Sequence, residues 1–124
     1  MKAYYIDPIL QFVAEVNFIP ESNLHGYRRI YEWIDANTFD VVNLNGYGDG
    51  MYVDDEGLLK KSNYFFKVPV WNGEEYVQRM YAGKALILGV DSDGDSADVK
   101  GLSFKLLQDR IEFLGEKEIR QWMY

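Results

Sequence analysis

Residues 84–90 read Lys-Ala-Leu-Ile-Leu-Gly-Val, the most continuous apolar run in the chain. A short apolar stretch with a β-branched residue and turn formers on either side matches a buried strand. It predicts the central strand of a sheet. Working back along the chain, residues 74–81, EEYVQRMY, and 64–71, YFFKVPVW, flank Asn72-Gly73, a strong hairpin signal because both positions accept positive φ. Pro69 places its strand at an edge or a bulge, since proline cannot donate to a ladder.

Further out, residues 39–44, FDVVNL, and Met51-Tyr52-Val53 read as strands joined by the glycine-rich connection Asn45–Gly50. Residues 2–6, KAYYI, form another, turned by Asp7-Pro8. Residues 9–18 then alternate, with Leu10, Phe12, Ala14, Val16 and Phe18 on the apolar face. Two segments switch to helical spacing. Tyr27, Ile30, Tyr31 and Ile34 make one stripe in a helix over 23–35, and Trp33 lies off it, at a core edge or an interface. Ser103 caps a second helix over 104–114, whose buried face is Phe104, Leu107, Ile111 and Leu114, with Gly115 as its stop. The expectation is one compact α+β domain spanning 1–124. It has a mostly antiparallel sheet of about five to seven strands and two helices. The tail 116–124 is a candidate interface segment, and Trp122, Met123 and Tyr124 could close a homodimer.

The chain has 124 residues, 13 bases and 20 acids, for a net charge of −7. No cysteine is present, which excludes disulfides, thiolate catalysis and thiolate zinc sites. No apolar run approaches a membrane span, and the start MKAYYIDPIL lacks the apolar core of a signal peptide, so a soluble cytoplasmic protein is expected. The acidity is concentrated. Residues 35–57 hold six acids and residues 91–98 hold four, without a base in either, so these 31 residues carry −10. The other 93 hold ten acids and thirteen bases, or +3. Such a distribution disfavours direct nucleic-acid binding and can steer a basic partner.

The order of elements, with Asp55-Glu56-Gly57-Leu58, Asn63 and the Gly83-to-Gly89 segment around Ala85-Leu86-Ile87-Leu88, resembles a family of small proteins of unknown function encoded by bacteriophages and mobile elements. The likeness spans roughly residues 2–114. That family often carries glycines where this chain has Asp35-Ala36-Asn37, which bears on the turn after the first helix. The resemblance implies a viral or plasmid setting and a compact α+β fold. It implies no reaction and no catalytic residues.

Asp91, Asp93, Asp95 and Asp98 form D-x-D-G-D-x-x-D, a spacing that can wrap a hard cation. An EF-hand would need glycine and glutamate where Ser96 and Leu102 stand. A polar turn is the expected reading, with Asp91, Asp93 and Asp95 as weak cation candidates, and no cofactor is expected. The Gly46–Gly50 run precedes a strand rather than opening a helix, so it is a hairpin connection and not a phosphate loop. His25 stands alone, and adjacent carboxylates such as Asp54 and Asp55 point to opposite faces of a strand. With no nucleophile–base pair in view, the protein is expected not to be an enzyme.

Ten tyrosines, seven phenylalanines and three tryptophans exceed the needs of a core this size, and tyrosine and tryptophan favour interfaces. The expected function is therefore a small acidic binding protein that modulates or inhibits a host protein. Its candidate surface comprises Tyr47, Asp49, Tyr52, Asp54, Asp55, Glu56, Tyr64, Trp71, Asp91, Asp93, Asp95 and Asp98. A second reading is a small-molecule or nucleotide-signal binder using Arg28, Arg29, Arg79 or Lys84. A third is a nucleic-acid mimic.

Overall fold

In the computed structural model, which describes residues 1–20, 27–56, 64–93 and 95–114, the apolar run at 84–90 lies in the middle of a sheet. The elements are β1 (Lys2–Asp7), β2 (Phe12–Asn17), α1 (Tyr27–Ile34), β3 (Phe39–Asn43), β4 (Gly50–Asp54), β5 (Phe65–Trp71), β6 (Tyr76–Ala82), β7 (Ala85–Val90), β8 (Ser96–Ala97), α2 (Phe104–Arg110) and β9 (Glu112–Leu114). One antiparallel sheet runs β2-β1-β7-β4-β3, with β8 added to β7. A second runs β6-β5-β9. The class is α+β as expected, but the strands divide between two sheets, and nine are present among the described residues.

The lack of alternation in β7 has a direct cause, because both faces of the strand are covered. Ala85 and Ile87 join Tyr4, Ile6, Met51 and Val53 in a core shared with Phe66, Val68 and Val70 of the second sheet. Leu86 and Leu88 join Ala3, Phe18 and Tyr52 in a second core under Ile30 and Ile34 of α1. The result is three layers: helix, sheet, sheet. Leu86, Ile87 and Leu88 are completely buried, at about 1.5–3 kcal/mol of transfer free energy each.

The α1 stripe holds at Ile30 and Ile34, both buried, while Trp33 covers a core edge with its ring centroid 5.2 Å from that of Tyr5. Residues 21–26, including the start of the expected helix and His25, lie outside the described residues. The helix ends with Asp35 at φ 56° and the Ala36 N–H donating to Tyr31 O at 3.1 Å, a Schellman closure that puts a non-glycine residue in the left-handed region.

Three local expectations need correction. Leu10 is not on the buried face of β2: it is 71% exposed in a four-residue turn, where Asp7 Oδ1 accepts the Ile9 and Leu10 N–H groups and Gln11 adopts φ 56°. The second helix starts at its Ser103 cap, whose Oγ accepts the Leu106 N–H at 3.1 Å, but ends at Arg110 rather than 114. Ile111 turns extended, and Glu112–Leu114 become β9 because β5 offers Phe65–Lys67 an open ladder to complete. Asn72 does not supply a positive φ; only Gly73 does, at 102°. Asn72 instead closes a four-residue turn through Oδ1, which accepts the Glu74 and Glu75 N–H groups at 2.9 Å. Pro69 sits on β5 beyond its last β9 partner, where the strand is an edge as expected. No described helix is long and apolar enough to cross a membrane. Gly115 and the tail, with Trp122, Met123 and Tyr124, lie outside the described residues.

Replacing Asp35 with glycine removes both the left-handed strain and a carboxylate at the negative end of the α1 dipole. The Asp35→Gly protein is expected to gain about 0.5–1 kcal/mol in urea unfolding, and an unchanged midpoint would contradict the closure described.

Candidate functional site

The loop between β3 and β4 is organised around Asp49, which is completely buried. Its Oδ1 accepts the Lys100 N–H at 2.7 Å, and its Oδ2 accepts the N–H groups of Gly101 at 2.8 Å and Leu102 at 2.9 Å together with Asn45 Nδ2 at 2.9 Å. A single carboxylate thus satisfies three consecutive main-chain donors from a segment about fifty residues away. That segment, 98–102, straps the end of the first sheet. It crosses β7 at Gly89, where an added Cβ would lie 2.1 Å from Asp98 O. Val99 N–H donates to Lys2 O, Lys2 N–H donates to Asp98 Oδ1, and the Tyr4 hydroxyl donates to Leu102 O. Tyr47 lies across Gly101, with 72% of its surface still exposed.

Asp49 is therefore a builder of the fold whose oxygens are taken by main chain, rather than a surface ligand. Tyr52 is likewise placed in the helix-side core, its ring 5.1 Å from that of Phe39. Trp71 is half-buried on Tyr76, at 5.0 Å, and Tyr64 is exposed. Asp91 Oδ1 accepts the N–H groups of Asp93 and Asp95, both at 2.9 Å, where the chain passes from β7 to its antiparallel partner β8. Among the described residues no three histidine, aspartate or glutamate side chains are grouped to hold a metal ion.

The carboxylates of the two acidic segments at 54–56 and at 91, 93, 95 and 98 do not share one face, although buried Asp49 of the first segment lies at the pole of the second. β4 pairs with β7 from Gly50↔Leu88 to Val53↔Ala85. Asp54, Asp55 and Glu56 follow the Ala85 end of that ladder, whereas Asp91 follows Val90 at the other end. Six residues of β7 separate them by about 20 Å. The 91–98 segment lies with the chain start and the Asp49 loop at one pole.

At the other pole the two sheets part to form a cleft of about 430 Å³, lined by Asp40, Val53, Asp54 and Asp55 from the first sheet and by Gln78, Arg79, Met80, Tyr81 and Ala82 from β6. Asp40 stands opposite Val53, whose side chain lies in the inter-sheet core, so Asp40 is on the cleft side of β3. Its Oδ1 also accepts the Val41 N–H at 3.0 Å. Asp54 Oδ1 accepts the Glu56 N–H at 3.0 Å, and Thr38 Oγ1 donates to Asp55 Oδ1. Burial pushes the Tyr81 phenol up, the Arg79 guanidinium draws it back and the Asp40 carboxylate raises it further. Asp40, Asp55 and Arg79 thus border the cleft together, while Asp54, next to Val53 on β4, falls on the opposite face of that strand. Of the cations considered for phosphate binding, only Arg79 lines the cleft, while Arg28 pairs with Glu32 at 3.5 Å on the exposed side of α1.

Asp54 and Asp55 were legible as candidates, but Asp40, Gln78 and Tyr81 were not. Asp40 is the one charge on the strand 39–44, a signal that could have singled it out once that strand was paired with 51–53. On β6 the sequence offered Arg79 alone, as a phosphate ligand, and the rest of that wall arrives by packing of one sheet on the other. No protein-family model, curated protein or solved structure matches this chain.

Truncating Asp49 to alanine leaves three main-chain N–H groups and the Asn45 amide without their acceptor, at about 1–3 kcal/mol for each donor that stays dry. Asp49→Ala is expected to lose about 3 kcal/mol or more in denaturant unfolding, while Asp93→Ala stays close to the parent; equal losses would contradict the clamp. In the cleft, Asp40→Asn is expected to lower the Tyr81 pKa and Arg79→Gln to raise it, read from the ring carbon shifts during an alkaline NMR titration. Because folding raises the Tyr81 pKa, its stabilising contribution is complete below the ordinary phenol value of about 10 and fades as pH rises above it.

Proposed function

We propose that this protein is a non-enzymatic binding protein that grips a basic surface of a partner protein at its cleft pole, in the manner of a small phage- or plasmid-encoded protein modulating or inhibiting a host protein. The observation that carries this reading is that Asp40, Asp54 and Asp55 all border one cleft with apolar walls. Exposed Glu56 adds to the same field, and residues 35–57 contain no lysine or arginine to cancel it. A cation brought to about 4 Å from one of these carboxylates gains about 1–4 kcal/mol, depending on how far the cleft excludes water. Several together accelerate encounter and select the partner's sign of charge. Phosphate ligands are disfavoured by the same count, and the 20 Å (approximately) between the acidic segments gives no continuous phosphate-like track for nucleic-acid mimicry.

The test is affinity capture from host lysate with three baits: the parent, Asp54→Lys/Asp55→Lys, and Asp93→Lys/Asp95→Lys. A basic partner should be recovered by the parent and the second pair and lost, by roughly tenfold or more, from the first. Equal recovery by both charge-reversed pairs, or recovery of no partner, contradicts the proposal.

A further inference from the structure

We infer that the partner segment binds as an added strand on the open edge of β3, with basic residues on its cleft side alternating with apolar residues on its helix side; this rests on the reading of the cleft as a site for a basic partner. β3 is the last strand of its sheet among the described residues, whereas β2, at the opposite edge, packs beside α2. The Leu44 N–H donates to Asp49 O at 3.0 Å, which sets the phase of the β3–β4 ladder. Antiparallel alternation then turns the main-chain groups of Asp40 and Val42 toward β4 and those of Val41 and Asn43 outward. The outward Val41 N–H is held by the Asp40 carboxylate at 3.0 Å. Native sheets guard an open edge in this way, with a charged side chain rather than another strand.

The guard is also the attraction. A carbonyl from an incoming strand replaces Asp40 on the Val41 N–H, and the released carboxylate meets a lysine or arginine of that strand. Side-chain alternation sets what lies on each face. Asp40, opposite Val53, lies on the side of the second sheet, at the cleft that Asp55 also borders. Val41, opposite Tyr52 and 46% exposed, lies on the helix side. With Asn43, Asn45, three glycines and Val90 it lines a mainly apolar depression of about 450 Å³. An extended segment along β3 therefore meets negative charge with one set of side chains and apolar surface with the other. Main-chain bonds supply affinity in such strand addition, and the two flanking depressions supply selectivity.

The probe is a synthetic octapeptide alternating lysine and valine, with two copies N-methylated on the lysines or on the valines alone. Calorimetry with the parent protein should show binding by the unmodified peptide, and one methylated copy should bind roughly tenfold weaker than the other, because only one set of amides faces β3. Val41→Pro, which removes an outward N–H and no ladder bond, should weaken the unmodified peptide by a similar factor. Equal affinity for both methylated copies overturns strand pairing. If that peptide nevertheless weakens with Asp54→Lys/Asp55→Lys, the basic-partner reading survives without it. Absence of binding at about 1 mM overturns the strand inference, while the lysate capture continues to test the cleft by itself.

Discussion

The carboxylate of Asp49, sealed from water among three consecutive main-chain N–H groups and the Asn45 amide, is the constraint on which the two ends of this molecule depend. A buried charge is tolerated only when its hydrogen bonds are complete, and here they bind residues 100–102 to the β3–β4 loop. The same strap covers Gly89 with main chain and is tied to the chain start through Lys2 and Val99. One pole of the first sheet is thereby closed. Much of its polar capacity goes into holding backbone, as the use of Asp91 by Asp93 and Asp95 also shows.

The opposite pole is built differently. The two sheets part there, and the cleft between them is bordered by exposed Asp40 and Asp55. Two acidic segments that look equivalent in the sequence thus have unlike surroundings. One sits on a tight turn and a strap; the other flanks a cleft and an open strand edge. The division follows from the antiparallel pairing of β4 with β7, which sends their flanking loops to opposite ends.

Much of this was readable beforehand because it rests on local chemistry. The run at 84–90, the Ser103 cap, the spacing of Ile30 and Ile34, and the Asn72-Gly73 turn each depend on a few neighbouring residues. Where the reading failed, distant contacts decided. Helical spacing from Phe104 to Leu114 continued past Arg110, but the open ladder of β5 drew Glu112–Leu114 into a strand. Asp49 looked like one more loop aspartate because its partners are 51 to 53 residues away. The cleft depends on distant contacts in the same way, since residue 40, residues 54–55 and residues 78–82 meet only when one sheet packs on the other.

The central claim is that partners are met at the cleft pole and not at the aspartate turn. Amide chemical-shift mapping during a titration with the alternating lysine–valine peptide tests it most directly. The account predicts shifts centred on Asp40, Val41, Asp54, Asp55 and Tyr81, with Asp93 and Asp95 unmoved. Shifts centred on residues 91–98 would contradict it.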